Sequence, residues 1–296
     1  MASLFMVKEG SGTDMSYAVD AIGRLTGIRS EFNFVNELGH SAAYAEVPYS
    51  PESYGRIREL VIRQHIDFDV IYQEHPVLLS KPGMLLMDMD MTTVQIEGID
   101  EIARALGVYD VVADLTHKAM QGHMDFKQSL TMRVAVLKDG DAGVIERVKG
   151  IMHETTGLSD LYGLLKRHGF KIGIASGGFT QLICEIDKKY GLDFIKANTL
   201  DISGGRFTGR VVGEIVDGDA KAAGFDEMLQ KFGIDPAQTI CIGDGANDLK
   251  MLKKASLCVG YHGKPAVVKE ADFCIGHSDM RSLCLYLRCA NGEYNN

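Results

Sequence analysis

Met84-Leu85-Leu86-Met87-Asp88-Met89-Asp90-Met91-Thr92-Thr93-Val94 is the stretch that decides the fold. A short apolar run climbs to Asp88 and stops at two carboxylates spaced by one residue. Pro82-Gly83 before it and Thr92-Thr93 after it bound the run, which reads as a buried strand. On that reading Asp88 and Asp90 stand at its carboxyl end, where a period of two aims them the same way. Open α/β sheets bind ligands outside the carboxyl ends of their strands. Two like charges there are costly unless a cation or a shared proton relieves them. An Asp-x-Asp pair by itself is more often a solvated turn, so the reading depends on what the rest of the chain adds.

Downstream, residues 98 to 153 carry helical patterns at Ile99 to Leu106, Val111 to Met120, Asp125 to Leu137 and Ala142 to Met152. Gly107, Gly122 and Asp139-Gly140 punctuate them, so this is read as a small helical insert. From Asp160 onward, helix and strand alternate as in a parallel sheet. Lys171 to Ala175 is read as a strand ending at Ser176-Gly177-Gly178, which opens a helix from Phe179. A hairpin with a Gly204-Gly205 turn spans Ala197 to Val216, and Lys221 falls in the helix after it. Thr239 to Ile242 is a strand ending at Gly243-Asp244-Gly245-Ala246-Asn247-Asp248.

Upstream, residues 1–80 read as a separate unit in the order βαββαβ, a ferredoxin-like α+β arrangement. Its pattern is similar to ACT-type domains, which makes serine a candidate regulatory ligand there. A structural or dimerising module without a ligand fits equally, and a homodimer is a candidate assembly. Ser80-Lys81-Pro82-Gly83 serves as the linker to residues 81–296.

The 296 residues, 46% hydrophobic and 24% charged, suit an ordinary globular protein, and a net charge of −9 disfavours a nucleic-acid partner. No apolar run approaches the roughly 20 residues that span a bilayer. The opening residues lack a signal-peptide pattern, so a cytoplasmic location is expected. The six cysteines form no Cys-x-x-Cys pair and sit mostly in apolar runs, as reduced buried thiols do.

Together the strand ends supply acids for a cation, a hydroxyl and amides for anionic oxygens, and an ammonium, the parts of a phosphoryl-transfer site. Asp88-Met-Asp90-Met-Thr92, Ser176-Gly177-Gly178, Lys221 and Gly243 to Asp248 resemble the four motifs of the haloacid dehalogenase superfamily. Gln95 to Glu101, Met120-Gln121-Gly122, Phe126 to Arg133 and Ser176 to Phe179 resemble its phosphoserine phosphatase branch. Met91 departs from the small residue many relatives carry.

The resemblance implies a doubly wound parallel sheet with a helical cap and a Mg²⁺-dependent phosphatase acting on O-phospho-L-serine. It implies Asp88 as nucleophile and Asp90 as acid and base. Mg²⁺ is expected on the Asp88 carboxylate, the Asp90 carbonyl and Asp244, with Asp248 orienting a water or Lys221. Thr92 is expected to fix the loop between the aspartates. Ser176, Gly177, Lys221 and Asn247 are expected around the phosphate. Glu97 suits the substrate ammonium and Arg133 its carboxylate, with Phe126 and Met120 closing an apolar lid. Two other functions fit the same residues less well: phosphoryl transfer to a small alcohol such as homoserine, and a non-catalytic amino-acid sensor.

Overall fold

The computed structural model describes residues 1–121 and 123–294, with Met120 described in its main chain only. The expected punctuation at Gly122 and the expected lid contact of Met120 therefore lie outside the described residues.

The chain begins β1 (Ala2–Glu9), α1 (Ser16–Thr26), β2 (Asn33–Glu37), β3 (His40–Val47), α2 (Pro51–Ile62) and β4 (Asp69–Gln73). These strands form an antiparallel sheet in the order β2-β3-β1-β4, the ferredoxin-like arrangement. Strand β1 is buried on both faces, and its period of two sorts the side chains between two cores. Leu4 and Met6 pack with Ala18, Ile22 and Ile57 of the sheet's own helices. Phe5 and Val7 join the core of the rest of the molecule, where Phe5 meets the rings of Phe273 and Tyr286. The contact also has polar anchors. Buried Asp69 accepts the N–H groups of Gly276 and His277 and the Ser278 hydroxyl, and Arg58 donates to the Val268 carbonyl.

Next comes β5 (Met84–Met87), then the insert α3 (Gly98–Leu106), α4 (Tyr109–Met120), α5 (Phe126–Val136) and α6 (Val144–Ile151). The main sheet resumes with α7 (Leu158–Arg167), β6 (Lys171–Phe179), α8 (Thr180–Tyr190), β7 (Phe194–Ser203), β8 (Arg206–Val212) and α9 (Gly218–Phe232). It ends with β9 (Thr239–Gly243), α10 (Leu249–Leu252), β10 (Leu257–Tyr261), α11 (Pro265–Glu270), β11 (Phe273–Ile275) and α12 (Arg281–Ala290).

The seven strands lie in the order β11-β10-β9-β5-β6-β7-β8, parallel except for the β7–β8 hairpin. The apolar run is the central strand. Met84, Leu85, Leu86 and Met87 are each 0% exposed, because a central parallel strand is covered on both faces. The chain runs outward from β5 through β6 to β8, then returns to β9 on the other side. That reversal opens a crevice at the carboxyl ends of β5 and β9.

The insert forms a cap attached through two paired segments: Gln95 N–H donates to the His153 carbonyl and Thr155 N–H to the Thr93 carbonyl. Its far end is bonded to the β7–β8 hairpin, with Asp139 N–H on the Phe207 carbonyl and Phe207 N–H on the Gly140 carbonyl. Among the described residues, no helix is long and apolar enough to cross a membrane. All six cysteines are free thiols, and Cys184 and Cys274 are only partly buried.

One expected boundary is corrected. Ser176-Gly177-Gly178 does not leave the strand to open a helix, because β6 runs on to Phe179 and α8 begins at Thr180. The strand instead slips register against β7 between Ser176 and Phe179. Absent Cβ atoms permit the kink: one on Gly177 would lie 2.7 Å from the Phe126 ring, and one on Gly178 would lie 2.6 Å from Asp90 Oδ2.

Candidate active site

Asp88 follows β5 directly, and its N–H continues the ladder by donating to the Ile242 carbonyl at 3.0 Å. Its side chain is held from two sides: Oδ1 accepts the Met89 N–H at 2.7 Å and lies 2.7 Å from Lys221 Nζ. Lys221 rises from the first turns of α9, is 0% exposed, and also reaches Asp248 Oδ1 at 2.7 Å. Burial alone would strip its proton, but Asp248 and Asp88 outweigh that and raise its pKa, so it stays an ammonium. Asp248 is closed off further by the Gly245 N–H on Oδ2 at 3.0 Å. Lys221, expected at the phosphate, thus stands between two carboxylates.

Asp90 faces the same cleft, and its Oδ1 accepts the Gly98 N–H at 3.2 Å. Burial first, then the charges of Glu97 and Asp88, push its carboxyl well above the usual range. Met91 makes the turn with a φ of 56°, a left-handed conformation that costs a β-carbon residue about 1 kcal/mol. Thr92, expected to fix this loop, touches it through its main chain, the Thr92 N–H donating to the Met89 carbonyl at 3.2 Å. The Thr92 hydroxyl is buried without a partner among the described residues, whereas Thr93 Oγ1 donates to the Asp88 carbonyl at 2.6 Å. The adjacent threonines are both buried and indistinguishable by type, and only the backbone turn decides which hydroxyl reaches the Asp88 carbonyl.

Ser176 is fully buried, its Oγ accepting the Gly178 N–H at 2.9 Å, and Gly177 and Asn247 line the cleft beside it. From the cap, α5 brings Phe126 over Gly177 and Arg133 to the rim. The helix starts there because Asp125 caps it, accepting the Gln128 N–H while the Gln128 side chain accepts the Asp125 N–H. Arg133 makes one long contact, Nε to the Ser129 carbonyl at 3.4 Å. Glu97, the residue before α3, lines the same cleft. The two do not pair with each other, and neither has an ion-pair partner within 4.0 Å among the described residues. Both are therefore open to a ligand carrying an anion and a cation.

Asp88, Asp244 and Asp248 can bring one oxygen each within 4.8 Å of one another. A cluster of hard oxygen donors fits a divalent cation such as Mg²⁺. Asp244 is the member with room for it: its single side-chain partner among the described residues is Lys264, whose Nζ lies 3.0 Å from Oδ2. Lys264 went unnoticed in the sequence. A Lys-Pro pair just past a strand was the available signal, since strand ends form the site.

The cleft encloses about 80 Å³. A larger groove of about 400 Å³ lies between β4 and the turn after β10, but its walls are mainly apolar. Its buried acid, Asp69, is already satisfied by three donors. The acidic cleft is the candidate active site.

Comparison with known proteins agrees with this geometry. Residues 84–256 match the model of the haloacid dehalogenase-like hydrolases. The chain is 40% identical over 221 residues to a phosphoserine phosphatase of Haemophilus influenzae, covering 74% of this chain and 70% of that protein. It is 38% identical over 209 residues to that of Methanocaldococcus jannaschii, covering 71% of this chain and 99% of the relative. Among solved structures, a probable phosphoserine phosphatase from Vibrio cholerae superposes with a TM-score of 0.80 at 31% identity, covering 97% of this chain and 87% of that one. On these matches the chain belongs to the phosphoserine phosphatase family of haloacid dehalogenase-like hydrolases.

Proposed function

We propose that the chain hydrolyses O-phospho-L-serine to serine and phosphate, the closing step of a route to serine from a phosphorylated precursor. One observation carries the substrate: Glu97 and Arg133, both without ion-pair partners among the described residues, face one cleft with the Lys221-held Asp88 at its floor. An acid and a base beside a phosphate site match the ammonium and carboxylate of phosphoserine, and Phe126 over Gly177 covers its short methylene.

Asp88 attacks phosphorus, forming an acyl phosphate as the bond to the serine oxygen breaks. Asp90, held neutral by its surroundings, gives its proton to that oxygen. It then takes a proton from the water that attacks phosphorus, which releases phosphate and restores Asp88. Ser176 and the Gly177 main chain hold phosphoryl oxygens, with Asn247 beside them. Lys221 fixes Asp88 and keeps a positive charge under the reacting group. Asp88, Asp244 and the Asp90 carbonyl are the groups that would hold Mg²⁺, which when bound offsets the charge on the transferring group.

Phosphate release from a panel of esters, with Mg²⁺ and with chelator, tests the reading. Phosphoserine is expected to exceed phosphoethanolamine, which lacks only the carboxylate, by about 10²-fold in kcat/KM. Equal rates on the two would sink the substrate, and release that survives chelation would sink the metal.

A further inference from the structure

We propose that Lys264 is a positioning residue for Asp244: it clamps one carboxylate oxygen so that the other is presented to the cation. The inference rests on the metal-dependent reading above and extends it to a residue that reading does not use.

The three clustered carboxylates are held very unequally. Asp88 has Lys221 and the Met89 N–H, and Asp248 has Lys221 and the Gly245 N–H. Asp244 has Lys264 alone among the described residues, on Oδ2 at 3.0 Å, which leaves Oδ1 without a protein partner. Without Lys264, this carboxylate would be free to rotate about its own side chain.

The clamp is rigid at its base. Lys264 N–H donates to the Asp244 main-chain carbonyl at 2.8 Å, so the lysine binds the same residue twice. Its backbone is extended at φ −62° and ψ 158°, the region that the following Pro265 enforces, and Pro265 opens α11. Just before it, His262 adopts a φ of 43° while its N–H is held by the Ile275 carbonyl. The side chain is 52% exposed, so its removal takes little from the core. Partners that fix a ligating carboxylate set how well it binds metal.

The test is a Mn²⁺ titration of the metal-free full-length protein, followed by electron paramagnetic resonance, on wild type, K264M, K264Q and K264R. K264M is expected to bind Mn²⁺ about 10–100-fold more weakly and K264R to recover most of the affinity. In assays, K264M should need correspondingly more Mg²⁺ for half its maximal rate while kcat at saturating Mg²⁺ stays near wild type. Equal or tighter Mn²⁺ binding by K264M overturns the proposal, tighter binding meaning that the ammonium competes with the cation. Should K264M prove unstable in thermal unfolding, K264Q against K264R decides on the same criterion. If wild type itself binds no Mn²⁺, the metal reading of the cleft falls, an outcome distinct from the failure of Lys264 alone.

Discussion

On the floor of the cleft, Lys221 is fully buried between Asp88 and Asp248, with main-chain N–H groups closing the remaining gaps. On the roof, the Arg133 side chain makes one long contact with its own helix, and the Glu97 side chain makes no hydrogen bond or ion pair among the described residues. The floor belongs to a central sheet buried on both faces, and the roof to helices inserted between two of its strands. A group that performs chemistry must not move, so Asp88 and Lys221 are placed where partners hold them from more than one side. A group that recognises substrate must have bonds to give, so it is left unsatisfied until substrate arrives. Disturbing the floor therefore costs both stability and turnover, whereas disturbing the roof costs selectivity.

Substitution of Lys221 breaks the floor and gives the largest effect. K221M leaves Asp88 and Asp248 as buried unpaired charges, so unfolding by urea should show a loss of about 3–5 kcal/mol. In the protein that remains folded, kcat should fall by about 10²–10³-fold. On the roof, R133M should raise KM for phosphoserine about 10²-fold with little change in kcat. Steady-state kinetics should show phosphoethanolamine unaffected, and a loss shared by both esters would place Arg133 in the chemistry instead.

A stability effect smaller than that at Lys221 sharpens the comparison at Asp90, where floor and roof meet. Its folded pKa is raised by burial and by the charges of Glu97 and Asp88. The unfolded chain ionises first as pH rises, so this carboxyl favours the fold below its unfolded pKa and loses that contribution as pH climbs toward the folded value. D90N, neutral throughout, should be inactive yet melt above wild type at pH 7 without metal. Differential scanning fluorimetry should show the gap closing toward pH 4, and a D90N protein that melts below wild type at neutral pH would contradict the assignment.

The floor was largely legible in the sequence because its signals are strong. Met84 to Met87 could only be a buried run, and the acids, glycines and Lys221 follow strand ends in a fixed order. What escaped depends on local backbone geometry. Ser176-Gly177-Gly178 reads equally well as a strand-to-helix turn or as a kinked strand, and the neighbours that decide, the Phe126 ring and Asp90, are remote in sequence. Helix α11 was unread because it has only six residues (Pro265–Glu270), too few to show a period. Lys264 was hidden with it. The paired threonines show the same limit at the scale of a single rotation. The N-terminal arrangement was visible from its alternating segments, but no local pattern could say that Phe5 and Leu4 serve different cores.

That last feature bears on how the chain tolerates change in length. In β1, neighbouring positions answer to different partners, Leu4 and Met6 to the helices of their own sheet, Phe5 and Val7 to the rings of Phe273 and Tyr286 and their surroundings. An ordinary surface strand that gains a residue can shift its polar side inward at one interface. Here a single inserted or deleted codon within β1 would exchange the two sets and misfit both interfaces together. The strand can drift in composition at each position, but its count of residues is locked, as a key cut on both edges cannot be moved one notch along.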